Sequence, residues 1–180
     1  MNIIAGRFKG RRLESVDSLS TRPTLARVKE SLFCMLDGAI EGKTCLDLFA
    51  GSGALGIETI SRGAKKVVFV DSSRDALRVL NKNLRGMEEW AQVIENDYVS
   101  ALFGMRGVKF DVVFLDPPYA SNFAQVAIEK LVSLRLLNTG AIIVVESDRE
   151  NCLPNANQWC IIKKQKRYGD KSITILEFKG

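Results

Sequence analysis

Asp116-Pro117-Pro118-Tyr119 is the segment whose residue types point most directly to chemistry. It follows the apolar run Phe110–Leu115, which is typical of a buried strand. The two prolines end that strand because neither can donate a ladder hydrogen bond. The carboxylate and a proline carbonyl can accept both N–H bonds of a planar amino group, on whose face Tyr119 can stack. The alternative is an ordinary strand exit with the tyrosine packed in the core.

A glycine-rich segment follows another predicted strand, at residues 44–50. The sequence Gly51-Ser52-Gly53-Ala54-Leu55-Gly56 leads from that strand into a helix predicted to end near Arg62. This is the context in which G-x-G-x-x-G binds a nucleoside cofactor. Glycines allow a tight turn and a close approach of ligand to backbone, and a helix N-terminus favours polar or anionic groups. The alternative is that the glycines only let the helix pack on the strand.

Acidic residues follow the next two predicted strands. Asp71 ends the strand at residues 66–70, at the spacing expected of a carboxylate that binds ribose hydroxyls. Asp97 follows a strand at residues 91–95 and could accept from an adenine amino group. It could equally cap a short helix over residues 98–103, and both roles can hold at once.

Asp47 helps to decide which nucleoside the site would bind. It stands at the strand end just before the glycine turn. A fixed carboxylate there would repel the pyrophosphate of a dinucleotide and attract an ammonium group. S-adenosylmethionine carries an amino-acid head and a ribose but no phosphate, so we expect it as the cofactor.

With these motifs in place, the chain resembles the Rossmann-like S-adenosylmethionine-dependent methyltransferases that carry a D/N-P-P-Y signature. More narrowly, it resembles the family of bacterial 16S ribosomal RNA guanine-N2 methyltransferases. The resemblance covers essentially the whole chain through residues 3–13, 21–24, 27–33, 47–58, 116–119 and 168–170. Cys34 departs from the asparagine, and Asp71 from the glutamate, that the family often has.

The resemblance and the motifs together predict three groups of site residues. The catalytic group is Asp116, Pro117, Pro118 and Tyr119. The cofactor-binding group is Asp47, Phe49, Ala50, Gly51, Ser52, Gly53, Gly56, Asp71, Ser72, Asn96, Asp97 and Tyr98. The group expected to contact RNA is Arg7, Lys9, Arg11, Arg12, Arg22, Thr24 and Arg27. No metal is expected.

Charge is concentrated at the start of the chain. Residues 1–29 carry seven Lys or Arg against two Asp or Glu, and their net +5 equals that of the whole chain. A basic segment outside a neutral core suggests contact with a phosphate backbone, although a solvated basic surface is the common alternative. A second basic group lies near the end of the chain. It would either extend this surface or protect edge strands against pairing with other chains. It consists of Lys163, Lys164, Lys166, Arg167 and Lys171.

Composition narrows the class of protein. The chain has 180 residues, enough for a core without disulfides, and no histidine, which excludes His-based acid–base catalysis. The four cysteines show no C-x-x-C spacing, so we expect free thiols in a reducing compartment. No apolar run reaches the ~20 residues of a membrane helix, and no signal-peptide core is visible at the start. We therefore expect a cytoplasmic protein that binds no membrane. We also expect a monomer, although nothing in the composition bears on the oligomeric state.

The order of predicted elements indicates an α/β fold. We expect a single domain over residues 1–180, with a basic hairpin or loop and a helix (residues 24–36) within 1–40 and the cofactor-binding and catalytic core at 41–180. Five strand–helix alternations over residues 44–147 and a final hairpin (strands 158–167 and 172–178) predict a Rossmann-like sheet of seven strands, mostly parallel with an antiparallel end. Ser72–Asp75 reads as the capping box of the second core helix. The carboxyl ends of the first four strands should form the ligand crevice.

The resemblance implies methylation of a guanine N2 in 16S rRNA, within the small ribosomal subunit or a late assembly intermediate. Asp116 and the Pro117 carbonyl would hold the amino group, and Tyr119 would stack on an unstacked base, with Phe123 or another aromatic residue. Asp116 could take the proton, or solvent could. Rival interpretations are an adenine-N6 methyltransferase, a nicotinamide-dependent oxidoreductase, and a non-catalytic RNA-binding or assembly factor.

Overall fold

The structure is a computed structural model that describes residues 1–16, 23–118, 122–148, 158–169 and 171–180, without the side chains of residues 23–25 and 148. The helices are α1 (Pro23–Met35), α2 (Ala54–Ser61), α3 (Arg74–Asn83), α4 (Tyr98–Gly104) and α5 (Phe123–Ser133). The strands are β1 (Thr44–Asp47), β2 (Lys66–Asp71), β3 (Ala91–Glu95), β4 (Phe110–Leu115), β5 (Leu137–Asp148), β6 (Cys160–Tyr168) and β7 (Lys171–Phe178). A short 3₁₀ turn, Glu88–Trp90, precedes β3.

All seven strands belong to one sheet with the order β3-β2-β1-β4-β5-β7-β6. Strands β1 to β5 are parallel, whereas β7 runs antiparallel to both β5 and β6. The predicted fold, a mostly parallel seven-stranded sheet with an antiparallel C-terminal hairpin, is confirmed. The strand order reverses between β1 and β4, and ligands of such sheets bind at this kind of reversal.

Helices cover both faces of the sheet, which explains why its central strands are apolar on both sides. In β4, for example, Val112, Val113 and Phe114 are all buried. Helices α1, α2 and α3 pack on one face with Ile173 and Ile175 of β7, forming what we call the α1–α3 core. Helices α4 and α5 pack on the other face with Leu176, forming the α4–α5 core.

The boundaries of most elements agree with the sequence predictions within two residues, but one helix cap was placed wrongly. Ser73, not Ser72, caps α3, and its side-chain oxygen accepts from the amide of Ala76 at 3.3 Å. The reason is that Asp71 Oδ1 already accepts the Ser73 amide at 2.8 Å, which carries the chain one residue further before the helix begins. The capping-box interpretation is therefore wrong in detail.

The basic N-terminal segment forms a small hairpin that is docked on α2. A single antiparallel bridge joins Asn2 and Arg12, and the loop between them follows the C-terminal end of α2. The Arg7 amide donates to the Ser61 carbonyl at 2.8 Å. Gly6 has φ +83°, and a Cβ there would lie 1.8 Å from the Ser61 carbonyl oxygen. Only glycine permits this approach of the two backbones.

Glu58 of α2 is the buried charge that joins the hairpin, α1 and α2. Its side chain has no exposed surface, and it pairs with the buried Lys29 of α1 at 3.0 Å and with Arg62 at 3.0 Å. Its two oxygens also accept the amides of Ile4 and Ala5, at 2.8 and 3.0 Å. Lys29 was counted in the basic segment, but its burial removes it from the RNA-facing surface.

The described residues contain no candidate membrane span, and their cysteines are not in disulfides. None of their helices combines the length and the apolar character needed to cross a membrane. The described cysteines Cys34, Cys45 and Cys160 are free thiols, while Cys152 lies outside the described residues.

Replacing Glu58 by Ala should lower the free energy of unfolding by about 3–5 kcal/mol, because it leaves Lys29 buried without its partner. Urea denaturation of the variant and the wild type measures this loss. Glu14→Ala is the matched control: Glu14 also forms a salt bridge, with Lys82 at 3.3 Å, but both side chains are largely exposed. That pair should contribute no more than about 1 kcal/mol. Equal losses in the two variants would show that the buried ion pair contributes no more to the free energy of unfolding than the exposed one.

Candidate active site at the carboxyl ends of the strands

One cleft lies at the carboxyl ends of the parallel strands, beside the reversal between β1 and β4. Its volume is about 560 Å³, which suits a nucleoside-sized ligand. The residues that line it are Leu48, Phe49, Gly51, Asp71, Ser72, Asn96, Asp97, Tyr98, Asp116, Pro117, Pro118 and Phe123. Parallel strands thus bring together side chains that are up to 75 positions apart in sequence.

The glycine turn is held from below by Asp47. This side chain is 2% exposed, and its Oδ2 accepts the Gly56 amide at 2.9 Å. A Cβ on Gly56 would stand 2.2 Å from the Phe69 ring and 3.0 Å from Asp47 Oδ2, so glycine is needed for helix α2 to approach the sheet. Gly53 caps α2 in the left-handed conformation, with φ 82°. Burial raises the pKa of Asp47 to about 7, although the Gly56 amide opposes that rise.

Asp71 and Asp97 present carboxylates to the same cleft, and backbone amides fix both of them. Asp71 Oδ2 accepts the Gly51 amide at 2.8 Å, which ties the end of β2 to the glycine turn. Asp97 caps α4, and its Oδ1 accepts the amides of Val99 and Ser100 at 3.0 and 3.1 Å. Hydrogen bonds from Ser100 hold the pKa of Asp97 below its usual value. The capping role predicted for Asp97 is confirmed, whereas its contact with adenine stays a prediction.

Three aromatic rings form one wall of the cleft, and we call them the aromatic cluster: Phe49, Tyr98 and Phe123. The Tyr98 centroid lies 5.2 Å from that of Phe49 and 5.2 Å from that of Phe123. Phe49 and Phe123 are nearly parallel, with 7° between their planes. Phe123 is 36% exposed and lines the cleft. A flat apolar wall of this kind suits a purine ring.

Asp116 follows β4 and opens onto the cleft, where it is exposed. Protein atoms nevertheless crowd it from the sides, and the resulting loss of hydration is the largest cause that raises its pKa to about 7. The charge of Glu146 raises that pKa further, while the ammonium of Lys171 acts in the opposite direction. Glu146 Oε1 accepts a hydrogen bond from Lys171 Nζ in an ion pair between β5 and β7.

Two residues at the site were not predicted from the sequence: Leu48, which lines the cleft, and Glu146, whose charge acts on Asp116. Glu146 could have been found by the same rule that found the other acids, because it stands near the carboxyl end of a parallel strand. Lys171, which was grouped with the second basic cluster, is only partly exposed and pairs with Glu146.

Most of the predicted cofactor and catalytic residues line the cleft. The exceptions are Asp47, Ala50, Ser52, Gly53 and Gly56, which shape the glycine turn or lie beneath it without lining the cleft. Tyr119 lies outside the described residues. The geometry brings these residues together, and the ligand contacts assigned to each of them stay predictions.

The residues predicted to contact RNA differ in how much they also serve the fold. Arg7, Lys9, Arg12 and Arg27 are exposed. Arg7 also stacks on Trp90, with its guanidinium 4.5 Å from the ring centroid. Arg11 is half-buried and donates to the Asn83 carbonyl at 3.1 Å, so part of its donor capacity holds the hairpin on α3. Arg22 lies outside the described residues, and the Thr24 side chain is not described.

The negative charge of the cleft bears on which cofactor it can bind. Asp71, Asp97 and Asp116 line it, and Asp47 lies beneath it. The charge of Asp71 raises the pKa of Asp47, and that of Asp47 raises the pKa of Asp116, as expected of carboxylates that share one field. Such a cleft repels a pyrophosphate and attracts the sulfonium and ammonium groups of S-adenosylmethionine. The nicotinamide-dependent oxidoreductase is disfavoured for this reason.

Comparisons with known proteins agree with this geometry. The family model described as "Conserved hypothetical protein 95" matches residues 1–177. The Ribosomal RNA small subunit methyltransferase D of Haemophilus influenzae is 40% identical over 169 residues, which are 92% of this chain and 88% of that protein. The Escherichia coli protein of the same name is 37% identical over 154 residues, 86% of this chain and 78% of that protein.

Solved structures show the same fold. The Escherichia coli protein yhhF superposes with a TM-score of 0.89 at 32% identity, covering 100% of this chain and 98% of that one. The Thermus thermophilus 16S rRNA N2 G1207 methyltransferase, solved with AdoMet and guanosine, superposes with a TM-score of 0.71. It is 22% identical and covers 91% of this chain and 45% of that one, so this likeness concerns the fold alone.

Fold, cleft and relatives together define the class: the chain is an S-adenosylmethionine-dependent methyltransferase. Its sheet order and the matched extent of the chain support the same class. Within that class, it belongs to the family described as "Conserved hypothetical protein 95", to which 16S rRNA methyltransferases belong.

Replacing Asp47 by Asn should separate the electrostatic role of this residue from its structural one. The amide oxygen can still accept from Gly56. The unfolded-state pKa lies near 3.8 and the folded one near 7, so wild-type stability falls as pH rises through this window. The stability of the variant relative to the wild type should therefore increase between pH 5 and pH 8, by on the order of 2–4 kcal/mol.

Thermal unfolding at the two pH values measures this difference, and calorimetric titration with S-adenosylmethionine should show affinity weakened roughly tenfold or more. An identical pH dependence of stability in variant and wild type would contradict the raised pKa. Unchanged affinity would contradict the ammonium-binding role.

Proposed function

We propose that this enzyme transfers the methyl group of S-adenosylmethionine to the exocyclic N2 of a guanine in 16S rRNA. The observation that carries the proposal is the position of Asp116-Pro117-Pro118 in the same cleft as the acids Asp71 and Asp97. A segment that can hold a planar amino group therefore shares one cleft with a cation-attracting nucleoside site. The names of the Haemophilus and Escherichia relatives support ribosomal RNA of the small subunit as substrate.

The chemistry required of the protein is mainly positioning. Guanine N2 is a weak nucleophile because its lone pair is delocalised into the ring. The Asp116 carboxylate and the Pro117 carbonyl would accept its two N–H bonds and direct the lone pair out of the base plane. When bound, S-adenosylmethionine would supply an electrophilic methyl group for in-line transfer to that lone pair, with the thioether as the leaving group.

Asp116 is also suited to take the proton that the methylated nitrogen must lose. A pKa of about 7 places this carboxyl near the value that favours proton transfer at neutral pH. Build-up of positive charge on the nitrogen would be stabilised by the same carboxylate. Lys171 and Glu146 would tune this group from the neighbouring strands, since the two charges shift its pKa in opposite directions.

The target base must leave its stack to place its N2 beside Asp116 in the cleft. Stacking on Tyr119 stays part of the proposal, and Phe123 of the aromatic cluster is a described ring beside the same segment. We propose that the enzyme acts as a monomer in the cytoplasm, on the small subunit or a late assembly intermediate. The basic hairpin would bind the phosphate backbone.

The proposal is tested directly by transfer of labelled methyl groups to small ribosomal subunits from cells lacking the enzyme. Nucleoside analysis of the product should recover the label as N2-methylguanosine. Label on adenine N6 would keep the enzyme class and refute the base. No label on subunits, with S-adenosylmethionine still bound, would refute RNA as the substrate.

Asp116→Ala should reduce methyl transfer by about 10²-fold or more, because one acceptor and the proton acceptor are both lost. Affinity for S-adenosylmethionine should change little. Asp75→Ala is the matched control: Asp75 is an exposed aspartate at the start of α3, paired with Arg78 at 3.3 Å. It should retain full activity. Near-normal turnover in Asp116→Ala would show that the role assigned to Asp116 is wrong.

The pH profile provides an independent measurement of the same group. A protonated Asp116 can neither take the proton nor stabilise positive charge on the nitrogen, so single-turnover methylation should fall roughly tenfold per pH unit below about 7. In Asp116→Asn, the small residual rate should not decrease in this way with falling pH between pH 5.5 and 8. If the rate of the variant still decreased below pH 7, the titration would belong to another group.

A further inference from the structure

The edge strand β6 carries an unusual concentration of positive charge. Its sequence, CIIKKQKRY, has four cations and no acid. Every residue between Cys160 and Tyr168 is exposed. A lysine or two on an edge strand is explained by protection against edge-to-edge pairing. The way in which the cations are distributed between the two faces of β6 indicates a further role, in binding an anion.

A β-bulge between Ile162 and Lys164 divides the cations between the faces. Lys164 pairs in register with Ile175 and Lys166 with Ile173, and both isoleucines belong to the α1–α3 core. Side chains of paired residues point to the same face of a sheet, so Lys164 and Lys166 lie on the α1 side. Arg167, in register with Ser172, lies on the opposite side.

Contacts with α1 confirm this orientation. Lys166 Nζ donates to Ser31 Oγ at 3.2 Å, and the Tyr168 hydroxyl donates to the same oxygen. Arg27 precedes Ser31 by one helical turn and is exposed, so it lies on the same face of α1. Lys164, Lys166 and Arg27 thus form one continuous basic surface, which we call the α1–β6 surface.

Two acids of the neighbouring strands, Glu177 of β7 and Glu146 of β5, are engaged with other lysines. Glu177 pairs with Lys163 at 2.9 Å, and Glu146 pairs with Lys171. Among the described residues, neither Lys164 nor Lys166 forms a salt bridge with a carboxylate. Their charge is therefore available to an anion.

The register of the sheet fixes the distance from this surface to the reaction site. Lys166 pairs with Ile173, and Ile173 pairs with Glu146. Leu115 pairs with Val145, so Asp116 continues the row of Glu146. Strands lie about 4.8 Å apart, so the backbones of Asp116 and Lys166 are about 14 Å apart across the sheet edge. A few nucleotides flanking the target base would span this distance.

We propose that the α1–β6 surface binds phosphates of the ribosomal RNA beside the target nucleotide, as a second anchor in addition to the N-terminal hairpin. The inference rests on the function proposed above. The hairpin is docked on α2, whereas Lys164 and Lys166 stand on the edge strand β6, where Lys166 contacts Ser31 of α1. RNA held at both places would be constrained on two sides of the cleft.

The test compares two double variants of the full chain. Lys164→Gln with Lys166→Gln removes two charges from the α1–β6 surface. Lys163→Gln with Arg167→Gln removes the same number from the bulge and the opposite face, and serves as the matched control. Both variants should bind S-adenosylmethionine and unfold thermally as the wild type does, since the Tyr168–Ser31 hydrogen bond is kept.

Methylation of unmodified small subunits is then measured as a function of salt. For the Lys164/Lys166 variant, KM should rise about tenfold with kcat within twofold of wild type. The slope of log(kcat/KM) against log[KCl] should become shallower by about 1.5, at roughly 0.7–0.9 per lost phosphate contact. The control variant should keep the wild-type values. Equal changes in both variants, or no change in either, would overturn the proposal.

A binding measurement separates this inference from the proposed function. Fluorescence anisotropy with a labelled 16S rRNA fragment reports affinity without turnover. If the wild type methylates no RNA but the Lys164/Lys166 variant alone loses affinity and salt dependence, the surface stands and the proposed reaction fails. If the wild type methylates guanine and both variants bind alike, the surface is refuted and the reaction stands.

Discussion

The buried carboxylate of Glu58 is the interaction on which the placement of the functional parts depends. An ionised side chain without solvent contact is tolerated only when donors surround it. Here two cationic side chains and two backbone amides do so, and they come from the hairpin, from α1 and from α2 itself. Helix α2 begins at the glycine turn of the cleft. One short helix therefore fixes the cofactor-binding turn at its start and the basic hairpin at its end.

A second constraint is the parallel sheet itself. Because all its parallel strands end at one edge, single acids at the ends of β1, β2 and β4 converge without any local sequence signal that links them. Their proximity is unfavourable while all are charged, and this repulsion adds to burial, which is the main cause that raises the pKa values of Asp47 and Asp116 to about 7. A cationic ligand relieves that repulsion. The same convergence of acids therefore favours a cationic cofactor and contributes to the raised pKa of Asp116.

The sheet, its antiparallel end and the convergence of the acids were predictable from the sequence, because strand periodicity and strand ends are local signals. The pairs Lys29–Glu58 and Lys171–Glu146 were not, since each joins residues 25 or more positions apart and depends on tertiary packing. Counting charge in residues 1–29 therefore overstated the basic surface by one lysine. The cap of α3 was misplaced for a related reason: Asp71 takes the Ser73 amide, a competition that no local capping pattern includes.

The same fold must attract a cationic cofactor and a polyanionic substrate, and their fields would cancel if the two charges were mixed. The structure keeps them apart: carboxylates occupy the carboxyl edge of the parallel strands, whereas exposed cations occupy the hairpin, α1 and β6. The Lys171–Glu146 ion pair lies between these regions. Glu146 raises the pKa of Asp116 and Lys171 lowers it, so the two effects partly cancel. At a Debye length of about 8 Å, a separation of about 14 Å across the sheet edge lets solvent ions screen each region from the other. An RNA backbone can then rest on the basic flank while only an uncharged base enters the acidic cleft.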